Sequence, residues 1–216
     1  MARQVRSEAT RRKILDAAVD VFTEVGFGAA DRSAIIERTG MTKGAFYHHF
    51  DSMESLAAAI IDEGANLVLA ELSAISASFA PALENIVHGT FVIARVFAAN
   101  DVVRTAERLT GAFGKFDTTP SAPYAAWIDA TAADAQRAIA EGDIRPELQP
   151  RIVSESIIGA TTGARTLVQA TQTNDLIRQL TQMWELLFPA IVTETSIGYY
   201  SEFLAREALR HVQHDH

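Results

Sequence analysis

The 216-residue sequence predicts an all-α fold. Three observations carry that expectation. Apolar residues recur at helical spacing through most of the chain, no run alternates with the two-residue period of a strand, and Gly, Pro, Asp or Asn punctuates the sequence at roughly helix-length intervals. A shorter N-terminal unit and a larger C-terminal one are expected, because charge sign and helix length both change near residue 50.

The elements follow in order. Residues 8–25 place Ile14, Ala18, Val21, Phe22 and Val25 on one helical face, with Ser7 as the expected cap and Gly26 past the end. A short second helix runs from Asp31, its N-cap, to Thr39, and Gly40 stops it. Thr42 caps a third that ends near His49. Ser52 opens a fourth, about 52–72, which carries Leu56, Ile60, Leu67 and Leu72. Further helices are expected at 81–99, 101–112, 123–141, 150–171, 174–188 and 193–212, with Pro189 among the breaks between the last two. Residues 114–121, GKFDTTPS, read as a flexible loop.

Composition narrows the function classes. The chain has no cysteine, which excludes disulfides, thiolate zinc sites, iron–sulfur clusters and a cysteine nucleophile. Apolar residues make up 48% and charged ones 21%, an ordinary globular balance. The longest uncharged stretch, residues 72–83, is 12 long, so nothing is expected to span a membrane. The charged N-terminus lacks a secretory h-region, and a cytoplasmic protein is expected. The net charge of −8 is unevenly spread: residues 1–50 carry +2 and residues 51–216 carry −10. Only the basic end suits a polyanion.

That end holds the informative motif, SAIIERTGMTKGAFYHHF at residues 33–50. A short helix turns at Gly40, where a positive φ is needed, and a second starts at Thr42: a helix-turn-helix. The second helix presents amide N–H groups that attract phosphate, then Lys43, the small pair Gly44 and Ala45, and Tyr47, His48 and His49. Lys43 and Tyr47, four apart, share a face that reaches phosphates and base edges. Ser33, Thr42, Lys43, Gly44, Ala45, Tyr47, His48 and His49 are the candidate DNA contacts.

Residues 10–56, from Thr-Arg-Arg-Lys-Ile-Leu-Asp-Ala-Ala through Thr-Lys-Gly-Ala-Phe-Tyr-His-His-Phe to Ser-Met-Glu-Ser-Leu, resemble the DNA-binding domain of TetR-family transcriptional repressors. The resemblance implies a homodimer with a DNA-binding domain at 1–51 and a ligand-binding and dimerisation domain at 52–216. Its partners would be double-stranded operator DNA and a small apolar inducer, with no cofactor and no membrane. The sequence departs from the family at Arg32, where an apolar residue is usual, at Ala34, where an acid is usual, and at Met53, where lysine is common. A narrower resemblance, to the γ-butyrolactone autoregulator receptors of actinomycetes, rests on MARQVRSEATRRKIL, on Pro123-Tyr124-Ala125-Ala126-Trp127, and on Gln182-Met183-Trp184-Glu185-Leu186-Leu187 followed by Pro189. It implies that Trp127 lines the ligand pocket. Gly64 stands where some members place a glutamine.

Trp127 offers a flat apolar wall and one N–H donor, and Thr161 a hydroxyl for a ligand carbonyl; each has a plainer reading, as core filling and as a bond back to its own helix. Leu180, Trp184, Leu187, Phe188, Ile191 and Phe203 are the expected dimerisation residues; Trp184, with Leu180, Leu187 and Phe188 around it, reads as dimer or core packing, with pocket lining as the competing role. His211, His214 and His216 read as a solvated tail and His88 as isolated, so no metal site is expected. No nucleophile elbow, phosphate-cradling glycine loop or HExxH run is present, and adjacent acids such as Asp62 and Glu63 diverge around a helix. No catalytic residue is expected. Two alternatives remain open: a repressor sensing an antibiotic or another apolar metabolite, and an all-α carrier that no longer binds DNA.

Overall fold

The computed structural model describes residues 2–78, 80–113, 121–173 and 175–212. Among these there are ten α-helices, one 3-10 turn (Phe27–Ala29) and one isolated antiparallel bridge between Ile144 and Val192. The helices are α1 (Ala2–Val25), α2 (Arg32–Thr39), α3 (Lys43–His49), α4 (Met53–Ser76), α5 (Ala82–Ala99), α6 (Asp101–Phe113), α7 (Ser121–Glu141), α8 (Pro150–Thr171), α9 (Leu176–Ile191) and α10 (Ile197–Val212). The loop expected at 114–121 falls almost entirely outside the described residues.

Two compact units form, one from Met1–Leu67 with Phe97–Pro123, the other from Val68–Val96 with Tyr124–His216. The boundary expected between residues 51 and 52 lies inside the first. The physical reason is a shared core: Phe50 packs in one cluster with Leu56 and Ile60 of α4 and Ala106 and Leu109 of α6.

In the first unit, α1 supplies Ile14, Leu15, Ala18, Val21 and Phe22, which bury against Ile35, Phe46 and Phe50. α1 begins five residues ahead of the expected cap, so Ser7 sits within the helix. Ala, Arg and Gln favour helix and carry it back to Ala2. The remaining caps stand where the sequence places them. Asp31 accepts from the Ser33 amide at 3.2 Å, Gly40 ends α2 at φ 64°, and Thr42 Oγ1 accepts from the Ala45 amide at 3.2 Å. Ser52 Oγ accepts from the Ser55 amide, and Ser55 Oγ from the Ser52 amide, a reciprocal box with serine in the usual acid's place. α4 meets α6 closely: a Cβ on Gly64 would lie 2.5 Å from that of Ala106.

In the second unit, α5, α7, α8, α9 and α10 enclose a core around Trp184, whose indole N–H donates to Thr90 Oγ1 at 2.9 Å. Asp143, after α7, ties that end to α10 by accepting from Tyr200 Oη at 2.7 Å and Ser196 Oγ at 2.8 Å. Burial, then the Asp143 carboxylate, pushes the Tyr200 phenol well above its ordinary range. Pro189 does not break the chain: it lies inside α9, near its end. The missing N–H leaves the carbonyl of Glu185, an exposed residue, without its helical donor; separately, Arg145 secures the end of the helix, donating to Pro189 O at 2.8 Å and Val192 O at 3.1 Å. α5, with 18 residues, is long and apolar enough to cross a membrane, contrary to the reading by uncharged stretches, but 67% of it is buried within the fold. Its hydropathy is that of a core helix.

Candidate nucleic-acid interface

The sequence makes α3 two-faced. Phe46 is fully buried and Phe50, four residues on, joins it in the core. That anchorage turns Lys43, Gly44, Tyr47 and His48 outward, while Ala45 and His49 are half-buried. Ser33 and Thr42 are exposed at the starts of α2 and α3. All eight expected contact residues therefore belong to the α2-turn-α3 segment or its exposed flank.

The pose of that segment is fixed by charge as well as packing. Arg38 of α2 forms a two-pronged pair with Glu24 of α1, at 2.9 and 2.8 Å, which holds the Glu24 carboxyl below its usual range. Arg12 of α1 pairs with Asp16 at 2.8 Å and with Glu63 of α4. Arg11 lies over the Phe50 ring, 5.3 Å from its centre.

Arg32, which the sequence marks only as a departure from the family, packs against the outward face of α3. Its Nη1 donates to the Tyr47 hydroxyl at 2.6 Å, and its guanidinium lies 5.1 Å from the Tyr47 ring centre and 5.9 Å from that of Phe46. A cation thus stands beside the exposed face of α3 and orients its aromatic side chain. His49 is driven the other way. Partial burial, then the positive charge of His48 and Arg11, lowers its imidazole below the ordinary value near 6.5.

The other expected sites lie in the second unit. Trp127 is half-buried on α7, edge-to-face with Tyr124 at 5.1 Å. Thr161 is buried on α8, and its hydroxyl donates to Ile157 O at 2.8 Å, so donating to a ligand requires breaking that bond. Of the six expected dimerisation residues, Leu180, Trp184, Phe188, Ile191 and Phe203 are buried inside the protomer and Leu187 is half-buried. The stripe read as exposed apolar surface is a core face. The outward apolar residues of α9 and α10 are Leu186, 80% exposed, with Tyr199 and Leu209. Beside them a hollow of about 280 Å³ lies between α9 and α10, lined by Thr181, Glu185, Pro189, Ser201 and Ala205 among others. His211 is not in a solvated tail: it is 6% exposed and packed near His88 and Glu207. His214 and His216 lie outside the described residues.

A helix-turn-helix with a rigidly seated second helix, followed by a larger helical unit, defines a DNA-binding regulator of the two-part helical class. Comparison with known proteins narrows this. Residues 14–60 match the model for bacterial regulatory proteins of the tetR family, and residues 80–193 match that for the tetracyclin repressor-like C-terminal domain. The chain is 34% identical over 192 residues to the A-factor receptor protein of Streptomyces griseus, covering 88% of this chain and 67% of that one. A crystal structure of a γ-butyrolactone receptor, an ArpA-like protein, superposes with a TM-score of 0.78 at 27% identity, covering 95% of this chain and 99% of that one. The TetR-family protein CprB of Streptomyces coelicolor, in complex with its operator sequence, matches at a TM-score of 0.69 and 26% identity, over 95% of this chain and 99% of that one. The chain belongs to the TetR family of bacterial transcriptional regulators and is related to the γ-butyrolactone receptors.

Proposed function

We propose that this chain is a homodimeric repressor that binds a pseudo-palindromic operator through residues 1–51 and leaves it when a small, neutral, γ-butyrolactone-type signal binds residues 52–216. The observation that carries the reading is the outward face of α3. Lys43, Gly44, Tyr47 and His48 are exposed on a helix that Phe46 anchors, and Arg32 adds a cation beside them. Such a face suits the major groove, with Lys43 on phosphate and Tyr47 at phosphate or base edges. Similarity to the A-factor receptor and to CprB on its operator supports both halves of the proposal.

The surplus negative charge beyond residue 50 disfavours an anionic signal, so the ligand is neutral and mostly apolar. Trp127 forms one wall of its site and Thr161 receives its polar group. Release follows if the ligand prefers the conformation that does not fit DNA, by as much free energy as it shifts the equilibrium. Dimerisation uses the outward faces of α9 and α10 around Leu186, with Leu187 at the edge and the buried Leu180, Trp184, Phe188, Ile191 and Phe203 supporting those faces from behind.

A gel-shift titration with the upstream region of its own gene tests the reading. Wild type binds, and Lys43→Ala weakens binding across sequences and flattens the salt slope by about one unit. A γ-butyrolactone releases wild type but not Trp127→Ala, which retains operator affinity. Binding with release only by an antibiotic overturns the choice of ligand, and no DNA binding at all leaves the carrier reading instead.

A further inference from the structure

We infer that His88, Glu207 and His211 form a binding site for a divalent transition-metal ion of the zinc class. Glu207 and His211 stand four apart on one face of α10, and His88 reaches them from α5. One ligand atom from each lies within 4.8 Å of the other two. His88 Nδ1 is 2.6 Å from Glu207 Oε2, and His211 Nε2 is 3.7 Å from the same oxygen.

The donor set suits the ion. Two imidazoles and one carboxylate, with no thiolate anywhere in the chain, are the three protein ligands of an open zinc site. At bonds of about 2.0–2.2 Å, tetrahedral ligand atoms sit roughly 3.3–3.6 Å apart. The Glu207–His211 spacing of 3.7 Å needs to close by only about 0.1–0.4 Å, and the Glu207–His88 contact of 2.6 Å needs to widen by about 1 Å. For a metal to enter, the His88 imidazole carries its N–H on Nε2 and offers the Nδ1 lone pair beside Glu207 Oε2.

The surroundings are those of a built site. Glu207 is 1% exposed, and a buried carboxylate is tolerated only when paired. Arg210 donates to its other oxygen, Oε1, at 2.6 Å, so a single oxygen faces the two histidines. Phe91 stacks on the His211 ring, 5.4 Å between centres and 14° from parallel, and fixes its plane. Outer contacts of this kind orient metal ligands. His88 and Glu207 also border a hollow of about 250 Å³ lined by Ile75, Ser78, Glu84, Asn85 and Phe203 among others, which has room for a fourth, water ligand. Asn85 is buried there, and its side-chain nitrogen has no acceptor in the protein.

Full-length protein stripped with a chelator is titrated with zinc chloride by calorimetry, and with cobalt(II) while the visible spectrum is recorded. One ion should bind per protomer, with the intense band of four- or five-coordinate cobalt, and zinc should raise the melting temperature. Glu207→Gln, His211→Ala and His88→Asn should each lose more than the roughly 10–100-fold that removal of an outer-shell partner costs. His88→Asn, at the most exposed of the three positions, keeps the fold readable, which circular dichroism without metal verifies. The double variant His214→Ala/His216→Ala should bind as wild type does. No stoichiometric binding, unchanged affinity in His88→Asn, or loss of binding in the His214/His216 variant overturns the site.

Discussion

Arg32 and Tyr47, fifteen residues apart, meet in a 2.6 Å hydrogen bond, with the guanidinium also 5.1 Å from the tyrosine ring centre. The start of α2 thereby sets the side chain that α3 presents outward. A residue that departs from the usual apolar choice thus contacts both aromatic residues of α3, Phe46 and Tyr47.

Arg32→Ala should weaken operator binding about tenfold, a loss near the lower end of what one hydrogen bond to a charged group contributes. Arg32→Lys keeps the charge but lacks the planar fork, so it should lose nearly as much. Binding isotherms at fixed salt compare the two. Full affinity in the lysine variant would show that charge alone matters and that the Tyr47 contact is incidental.

The close approach at Gly64 has its own consequence. Carbon atoms in contact normally lie about 3.5–4.0 Å apart, whereas a Cβ at 64 would sit 2.5 Å from that of Ala106. Gly64→Ala should gain about 1 kcal/mol in helix propensity and lose about 1–3 kcal/mol to overpacking. A net loss in denaturant unfolding is expected, with partial recovery in Gly64→Ala/Ala106→Gly. A more stable Gly64→Ala protein would mean that α4 and α6 separate easily. A longer side chain, such as glutamine, is excluded from this position by the same contact.

Trp184 and Leu186 are two residues apart on α9 and have opposite fates. Trp184 is fully buried and bonded to Thr90. Trp184→Ala should cost about 3–5 kcal/mol, a large share of a domain's total stability of about 5–15 kcal/mol. Leu186→Asp should change stability by no more than about 0.5 kcal/mol yet shift a dimer to monomer in sedimentation at micromolar concentration. A Leu186→Asp protein that stays dimeric would move the interface off this face.

What was legible in the sequence was local. Asp31, Gly40, Thr42 and Ser52 each act within three residues of themselves, so composition and spacing place them. What was not legible needed a partner from elsewhere in the chain. Periodicity locates the stripe of Leu180, Trp184 and Phe188 but cannot say whether α5 or a second protomer covers it. Pro189 looks like a break, yet α9 runs through it to Ile191, where Arg145, from a distant loop, caps the final carbonyls. His211 reads as tail because His88, which joins it through Glu207, lies on another helix more than a hundred residues earlier.

The depressed imidazole of His49 gives stability and binding opposite pH dependences. Its ordinary value is near 6.5, and burial with the charges of His48 and Arg11 lowers it in the fold. As pH falls through 6.5, the unfolded chain takes up this proton before the folded one does, so stability declines from that pH downward. Operator phosphates act the other way: they favour the imidazolium, so binding takes up a proton and tightens as pH falls through about 6.5. His49→Gln should flatten both trends, leaving melting temperature and operator affinity less dependent on pH around and below about 6.5. Wild-type affinity that does not rise with acid, or a rise that persists in His49→Gln, would take His49 out of the interface.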